Sequence, residues 1–243
     1  MKATEFEFRY RFWLIGAIFW LGFLLYKVDH LNMAQCLVNC TVGENSPHAE
    51  LVARSLLLFG AFLVSLTALL RTWATAYLRT DVVQDPNLRA ETVLADGPYR
   101  HVRNPLYLGN ILLATGMGLL ASRAGFAFIV LGMFIFCLRL IGLEETNLAR
   151  EQGGSYLEFC RRVPRLWPAL RARVPASGLR PQWRQAFLGE IFVWGFFAAM
   201  LVFAITINQK AFFLIVGLAL LLYIVRGYAL AARKKREADS AIK

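Results

Sequence analysis

The sequence predicts an all-α, polytopic integral membrane protein with about six transmembrane helices. Hydrophobic residues make up 58% of the 243 residues, and the mean hydropathy of +0.49 is above that of ordinary soluble domains. Six apolar runs approach the roughly 20 residues that cross a bilayer, and they cover 12–28, 55–70, 106–121, 125–143, 187–207 and 211–230. Charged residues lie mainly between these runs, which argues against the buried helices of a soluble enzyme.

The basic residues predict which ends of the helices face the cytoplasm. Lys and Arg concentrate before the first run, in the second and fourth connections and after the last run. The other side holds only Lys27, Arg54, Arg123 and Lys210. This asymmetry predicts that both termini are cytoplasmic, in a membrane of the bacterial inner-membrane type. The net charge of +11 fits this rule and attraction to anionic lipid headgroups. Nucleic acid is the competing partner for a basic protein, but the sequence carries no nucleic-acid-binding motif.

A polar stretch, residues 97–109, leads into the third apolar run. Gly97-Pro98 is a turn signal, and Pro105 suits the first position of a helix because its missing N–H has no partner to lose there. Side chains able to hydrogen-bond or stack therefore crowd one membrane boundary: Tyr99, His101, Arg103, Asn104 and Tyr107. Such a set predicts a pocket where a polar ligand meets an apolar one.

A second polar block follows the fourth run. Residues 122–125 form a tight turn signal, so the third and fourth runs are predicted to form an antiparallel hairpin. The hairpin would return Glu144 and Glu145 to the membrane face that holds Arg103 and Tyr107. The small residues Gly109, Gly116 and Gly118 permit close helix approach.

The two blocks resemble the signature of the isoprenylcysteine carboxyl methyltransferase and phospholipid methyltransferase superfamily. Residues 97–109 resemble its Gly-x-Tyr-x-x-x-Arg-His-Pro-x-Tyr-x-Gly pattern, with Asn104 in place of the usual His. The family has a paired Glu, a Gly-x-x-Tyr element and an Arg-Val-Pro segment, which Glu144-Glu145, then Gly154, Tyr156 and Phe159, and then residues 162–164 resemble. The resemblance covers roughly residues 94–168. It divides the chain into N-terminal transmembrane helices (1–93), a methyltransferase core (94–170) and a linker with a C-terminal hairpin and basic tail (171–243).

The resemblance implies an integral membrane methyltransferase that uses S-adenosylmethionine and acts on a lipid or lipidated acceptor. No Gly-rich dinucleotide fingerprint is present, so membrane helix ends and basic loops would hold this cofactor. The implied catalytic residues are Arg103, Glu145 and His101. The implied cofactor-binding residues are Tyr99, His101, Asn104, Tyr107, Gly109, Glu144 and Glu145. The implied substrate-binding residues are Arg139, Arg162 and Trp167. No metal is implied.

Two other classes of function stay open at this stage. Membrane sterol reductases resemble this fold and use a nicotinamide cofactor at a related site, and a non-catalytic membrane scaffold is the third possibility. The acceptor is equally open among a phospholipid amine, a prenyl-cysteine and a thiol. The sequence does not predict an oligomeric state or a role for the C-terminal hairpin.

Several charged residues have two interpretations. Arg139 lies inside the fourth run, where it either reaches toward headgroups or pairs with Glu144 or Glu145 in the pocket. Arg71, Thr75 and Arg79 share one helix face, for which contact with headgroups is the favoured interpretation. Glu190, near the start of the fifth run, is predicted to pair with Arg184.

Two shorter segments add further expectations. Cys36 and Cys40 are spaced to meet on a helical turn, as a disulfide or as two thiols. The loop that holds them, residues 29–50, is predicted to form an external cap or a short interfacial segment. Residues 91–95 are predicted to form an extended piece or an interfacial helix over the site.

Overall fold

The computed structural model describes residues 2–78 and 96–241, and within these ranges every regular element is helical. In chain order the α-helices are α1 (Glu5–Arg9), α2 (Arg11–Leu24), α3 (Met33–Thr41), α4 (Ala49–Tyr77), α5 (Pro105–Gly118), α6 (Arg123–Gln152), α7 (Gly154–Arg162), α8 (Trp183–Gly189), α9 (Ile191–Thr206) and α10 (Gln209–Ala241). The all-α fold class is confirmed.

Three helices are long and apolar enough to cross a membrane, namely α4, α6 and the Gln209–Ala229 part of α10. A fourth span is added if α8 and α9, which are bent by 62° at their junction, act as one. Helices α2 and α5 have 14 residues each, or about 21 Å at 1.5 Å per residue. The protein is therefore a polytopic membrane protein with three to four candidate spans, and the predicted count of six is not confirmed. The counts differ because the α-helices in the apolar runs 12–28 and 106–121 end at Leu24 and Gly118, so each is shorter than a typical membrane-spanning helix.

Helices α5 and α6 form the predicted antiparallel hairpin. Pro105 opens α5 at its first position, and Ser122 caps α6 by accepting a hydrogen bond from the backbone N–H of Gly125. Only four residues separate the two helices, so α6 runs back along α5. It continues to Gln152 and ends at Gly153, whose φ of +59° suits a residue without a Cβ.

Helices α4 and α5 pack at backbone contact. A Cβ on Gly116 would lie 2.7 Å from the carbonyl oxygen of Gly60, which leaves no room for a side chain at either position. Val64 and Ala61 are buried beside this contact. The predicted role of Gly116 in close helix approach is confirmed.

The segment 163–182 contains no helix and crosses the same end of the bundle as the start of α5. The Asp96 carboxylate accepts hydrogen bonds from the backbone N–H groups of Ser177 (3.0 Å) and Leu179 (3.1 Å) and from the Ser177 hydroxyl. Burial disfavours the charge on Asp96, but these hydrogen bonds outweigh burial and lower its pKa. The backbone N–H of Gln182 donates to the carbonyl of Ala76 at 2.8 Å. The predicted linker is thus fastened to the helices.

At the opposite end, α3 forms the predicted cap. Asn32 begins the helix by accepting hydrogen bonds from the backbone N–H groups of Ala34 and Gln35. Cys36 and Cys40 lie on α3 as unpaired thiols, and Cys137 on α6 and Cys160 on α7 are also free. Arg79 and residues 91–95 lie outside the described residues, and the three-part division at 93 and 170 stays a prediction.

Candidate functional site

The two polar blocks meet at the Glu145 carboxylate. Oε1 of Glu145 accepts a hydrogen bond from Asn104 Nδ2 at 3.1 Å and lies 3.5 Å from Arg103 Nε. Oε2 accepts from Arg165 Nε at 2.9 Å. We call Arg103, Asn104, Glu145 and Arg165 the Glu145 cluster. The predicted return of the paired glutamates to the Arg103 end of the bundle is therefore confirmed.

Backbone hydrogen bonds hold this cluster in place. The N–H of Arg103 donates to the carbonyl of Pro164, and the N–H of Ala169 donates to the carbonyl of His101, both at 2.9 Å. Asn104 Nδ2 also donates to the carbonyl of Arg165 at 3.0 Å. Because the segment before α5 and the segment after α7 run side by side, their side chains converge on Glu145.

Arg103 retains unused hydrogen-bonding capacity. Its side chain is 13% exposed, and its Nε atom is buried without a hydrogen-bond partner, since the contact with Glu145 is too long and poorly directed. A buried donor left unpaired costs about 1–3 kcal/mol. An anionic ligand group beside Arg103 would remove that cost, so the geometry fits a carboxylate-bearing ligand here.

Two tyrosines, Tyr107 and Tyr99, lie near Glu144. The Glu144 carboxylate lies beside the hydroxyl of Tyr107, which is buried at the start of α5. Tyr99 is half-buried, and burial, together with the nearby charge of Glu144, raises the pKa of its hydroxyl above the usual range. Tyr99 therefore stays protonated at neutral pH and can donate a hydrogen bond.

His101 is held in one orientation. Its Nδ1 lies 2.8 Å from the carbonyl oxygen of Ala169, and its ring centroid lies 6.0 Å from that of Trp73. Because a carbonyl only accepts, Nδ1 carries the proton in this contact. In the neutral imidazole, Nε2 is then the acceptor.

Residues 55–153 match the phospholipid methyltransferase family. The match confirms the resemblance seen in the sequence over the segment that holds Arg103, Asn104 and Glu145. Arg165 lies beyond the matched residues, although it contacts the same carboxylate. The sequence favoured a headgroup-binding face for Arg165 and not a place in the site; its position next to the Arg-Val-Pro element was the available signal.

The chain is also similar to the cobalt-zinc-cadmium resistance protein CzcN of Cupriavidus metallidurans. The two are 30% identical over 135 residues, which are 55% of this chain and 59% of the relative. The chain thus spans less than two thirds of this relative's length. No solved structure matches. Among the described residues, no three or more His, Cys, Asp or Glu side chains are grouped so as to hold a metal ion.

A second polar cluster joins α4 and α5 to the C-terminal helices. Arg71 donates to both oxygens of Glu190, from Nε at 2.7 Å and from Nη2 at 3.2 Å, and its Nη1 donates to Asn110 Oδ1 at 2.7 Å. The Thr75 hydroxyl donates to Glu190 at 3.0 Å. We call these four residues the Glu190 cluster. The predicted pairing of Glu190 with Arg184 is wrong, because Glu190 pairs with Arg71. The favoured interpretation that Arg71 contacts headgroups is also wrong, because its guanidinium donates to Glu190 and Asn110.

Gly109, predicted to bind the cofactor, lies against this cluster. A Cβ at Gly109 would lie 2.7 Å from Cγ of Arg71, and the carbonyl of Gly109 accepts a hydrogen bond from the Thr67 hydroxyl at 3.1 Å. Its absent side chain makes room for the stem of Arg71.

None of the three predicted substrate-binding residues makes a hydrogen bond or ion pair with the Glu145 cluster among the described side chains. Arg139 pairs with Glu7 at 2.7 Å and not with Glu144 or Glu145, because α1 folds back onto α6. Arg162 pairs with Glu158 one turn earlier on α7, and both side chains are exposed. Trp167 is 77% exposed and close in sequence to Arg165.

A cavity of about 1070 Å³ lies at the other end of the bundle, near α3. A smaller one, about 450 Å³, lies on the surface of α7. Neither is lined by Arg103 or Glu145, so the predicted cofactor pocket stays a prediction.

Proposed function

We propose that the chain is an integral membrane methyltransferase that uses S-adenosylmethionine and methylates a lipid or lipidated acceptor. The family match over residues 55–153 supports the reaction class. The meeting of Arg103, Asn104 and Glu145 at one carboxylate is the observation that carries the proposal, because it assembles residues from two distant parts of the chain.

The Glu145 cluster and its neighbours suit the polar groups of this methyl donor. Arg103, with its unpartnered Nε, would bind the donor's carboxylate. Glu144 and Glu145 would accept hydrogen bonds from its ammonium group or ribose hydroxyls. Tyr99 and Tyr107 would contact the adenine ring or the sulfonium.

S-adenosylmethionine supplies an already activated methyl group, so the chain needs no covalent nucleophile. Its residues have to align the acceptor with the methyl carbon and exclude water. Such alignment can lower a barrier by up to about 7–11 kcal/mol. Tyr107 is buried and Glu144 is half-buried, which would limit the access of water to this part of the site.

The acceptor decides which residue handles a proton. An amine acceptor must lose one, and His101 would take it at Nε2 because Nδ1 is bound to the Ala169 carbonyl. Glu145 is the alternative base. A carboxylate acceptor would instead be oriented by Arg103. Asn104 can position a group but cannot take up a proton.

We propose Trp167, Arg162 and Arg139 as acceptor contacts on the side of the bundle that faces the headgroups. Arg162 and Arg139 already pair with Glu158 and Glu7, so an anionic headgroup would have to displace those carboxylates.

We also propose that the Glu145 end of the bundle and both termini face the cytoplasm, in a bacterial inner membrane. The positive-inside rule supports this orientation, because basic residues concentrate in the connections at that end.

The test uses the full chain in lipid nanodiscs. Binding of S-adenosylmethionine is measured by calorimetry, and transfer of a labelled methyl group into lipids is followed by mass analysis. We expect Glu145→Gln to weaken donor binding about tenfold or more. Glu158→Gln is the matched control, because it makes the same change at an exposed ion pair.

Two outcomes would contradict the proposal. Binding of NADPH in place of the methyl donor would favour the reductase. No donor binding, together with no transfer to lipid, prenyl-cysteine or thiol, would favour the scaffold.

A further inference from the structure

The cavity of about 1070 Å³ near α3 is a partly open chamber between helices. Helices α2, α4, α5, α9 and α10 contribute its walls, and α3 covers it. The walls are apolar, and their larger side chains are Trp20, Phe23, Leu57, Met117, Phe203 and Phe212. Its size matches ligand sites, which commonly measure about 300–1,000 Å³.

Specific contacts hold the α3 end of the chamber. The Tyr26 hydroxyl donates to the carbonyl of Leu120 at 2.6 Å, and Asn32 Nδ2 donates to Tyr26 at 2.7 Å. Toward the other end of the bundle, the ring of Phe12 on α2 stacks on Tyr223 of α10 with centroids 6.2 Å apart. Trp20 and Phe213 line the chamber and are 65% and 68% exposed, so its side is open between α2 and α10.

The polar residues of the chamber lie at the α3 end and favour a hydrogen-bond donor. Asn39 Oδ1 is buried without a hydrogen-bond partner, and Asn39 lines the chamber. Glu44 and Glu50 line the same end. Glu50 is paired with Arg54 at 2.9 Å, whereas Glu44 takes part in no ion pair among the described side chains. No Lys or Arg belongs to the described lining.

We propose that this chamber binds a membrane amphiphile that has a long hydrocarbon chain and an ammonium head. The chain lies along the apolar walls, and the ammonium donates to Asn39 Oδ1 beside Glu44. A buried acceptor without a partner and a carboxylate without an ion-pair partner among the described side chains both select a cationic donor over an anionic head. The Glu145 cluster lies at the opposite end of the bundle, so this site is separate from the methyl-transfer site and does not rest on it.

The probe is hexadecylamine, compared with hexadecanoate of equal chain length. The full chain, delipidated in an uncharged detergent, is incubated with each probe. Binding is measured by native mass spectrometry and by the shift in Tm. We expect one hexadecylamine per chain at saturation, and at least tenfold weaker binding of hexadecanoate.

Variants locate the probe within the chamber. Asn39→Leu and Glu44→Gln should each weaken hexadecylamine binding about fivefold or more, and Asn39→Asp should strengthen it. Ala53→Phe should block the chain by filling the cavity, while S-adenosylmethionine binding at the other end is unchanged. Asn45→Leu and Glu5→Gln are the controls, because both residues are exposed and outside the chamber.

Three results would overturn the proposal. Equal binding of the two probes would show an apolar cavity without head-group selection. Failure of both Asn39→Leu and Glu44→Gln to weaken binding, in protein of unchanged Tm, would place the amine elsewhere. Absence of any bound hexadecylamine would show that the chamber does not bind this class of amphiphile.

Discussion

The Glu145 and Glu190 clusters each place a buried carboxylate against arginine, but they differ in what remains unpaired. In the Glu190 cluster, Arg71 makes three side-chain hydrogen bonds within the cluster, two to Glu190 and one to Asn110. In the Glu145 cluster, Arg103 Nε has no hydrogen-bond partner. A network whose donors are used holds helices together, whereas an unpaired buried donor is available to the ligand that we propose for the Glu145 cluster.

The largest expected effect concerns Arg103. We expect Arg103→Ala to weaken S-adenosylmethionine binding about 30-fold or more, because a buried charge-assisted contact of this kind is worth about 2–5 kcal/mol. The Tm of Arg103→Ala should change little, because the Arg103 Nε atom that is removed makes no hydrogen bond. Calorimetry and thermal unfolding measure the two quantities. Arg161→Ala, at an exposed position on α7, is the control. A large fall in Tm with unchanged donor affinity would make Arg103 a structural residue and remove the contrast.

The second effect, at Glu190, is a loss of stability without a loss of donor affinity. Removing one partner of a buried ion pair costs about 3–5 kcal/mol, and Glu190 is only 7% exposed. Glu190→Ala should therefore lower Tm by roughly 6–20 °C, while the folded fraction keeps its donor affinity. Replacing both partners, as Arg71→Met with Glu190→Met, should recover most of the loss because no charge is left buried. If Glu190→Ala has the Tm of the wild type, the packing of the C-terminal helices does not depend on this ion pair.

The contrast between these clusters also shows what the sequence could predict. The Glu145 cluster follows from local rules, because a proline start at Pro105 and a four-residue turn fix where α6 returns. Two polar blocks at equal depth must then meet. The close contact at Gly116 follows from residue size alone.

Long-range ion pairs were not predictable in this way. Glu190 reaches Arg71 across 119 residues, and Glu7 reaches Arg139 across 132. Those pairings depend on how α8, α9 and α1 lie against the central helices, which residue spacing within one helix does not specify. The predicted pairing of Glu190 with Arg184 failed because it considered only neighbours along the chain.

A third, smaller effect tests how closely the Glu190 cluster is packed. We expect Gly109→Ala to cost about 1–3 kcal/mol, because the new Cβ would press on Cγ of Arg71. Thermal or denaturant unfolding measures the cost. Gly217→Ala is the matched control, since a Cβ at Gly217 meets nothing within 4 Å and the substitution favours helix by up to about 1 kcal/mol. If Gly109→Ala loses donor binding at unchanged stability, Gly109 belongs to the cofactor site and not to the packing of Arg71.

The smallest effect comes from a third acid–arginine pair, at the N-terminus. Hydrogen bonds from the Arg139 side chain, and then from the backbone N–H of Thr4, lower the pKa of Glu7 from 4.5 to about 2. The pKa is lower in the folded state, so the pair stabilises the fold fully above pH 4.5, and this contribution is lost as the pH falls toward 2. The unfolding free energies of wild type and Glu7→Gln should therefore differ at neutral pH and converge below about pH 2. Glu5→Gln on the same helix is the control, because Glu5 is exposed and belongs to none of the ion pairs among the described residues. A constant difference between wild type and Glu7→Gln across this range would mean that the Glu7 side chain acts through packing and not through its charge on Arg139.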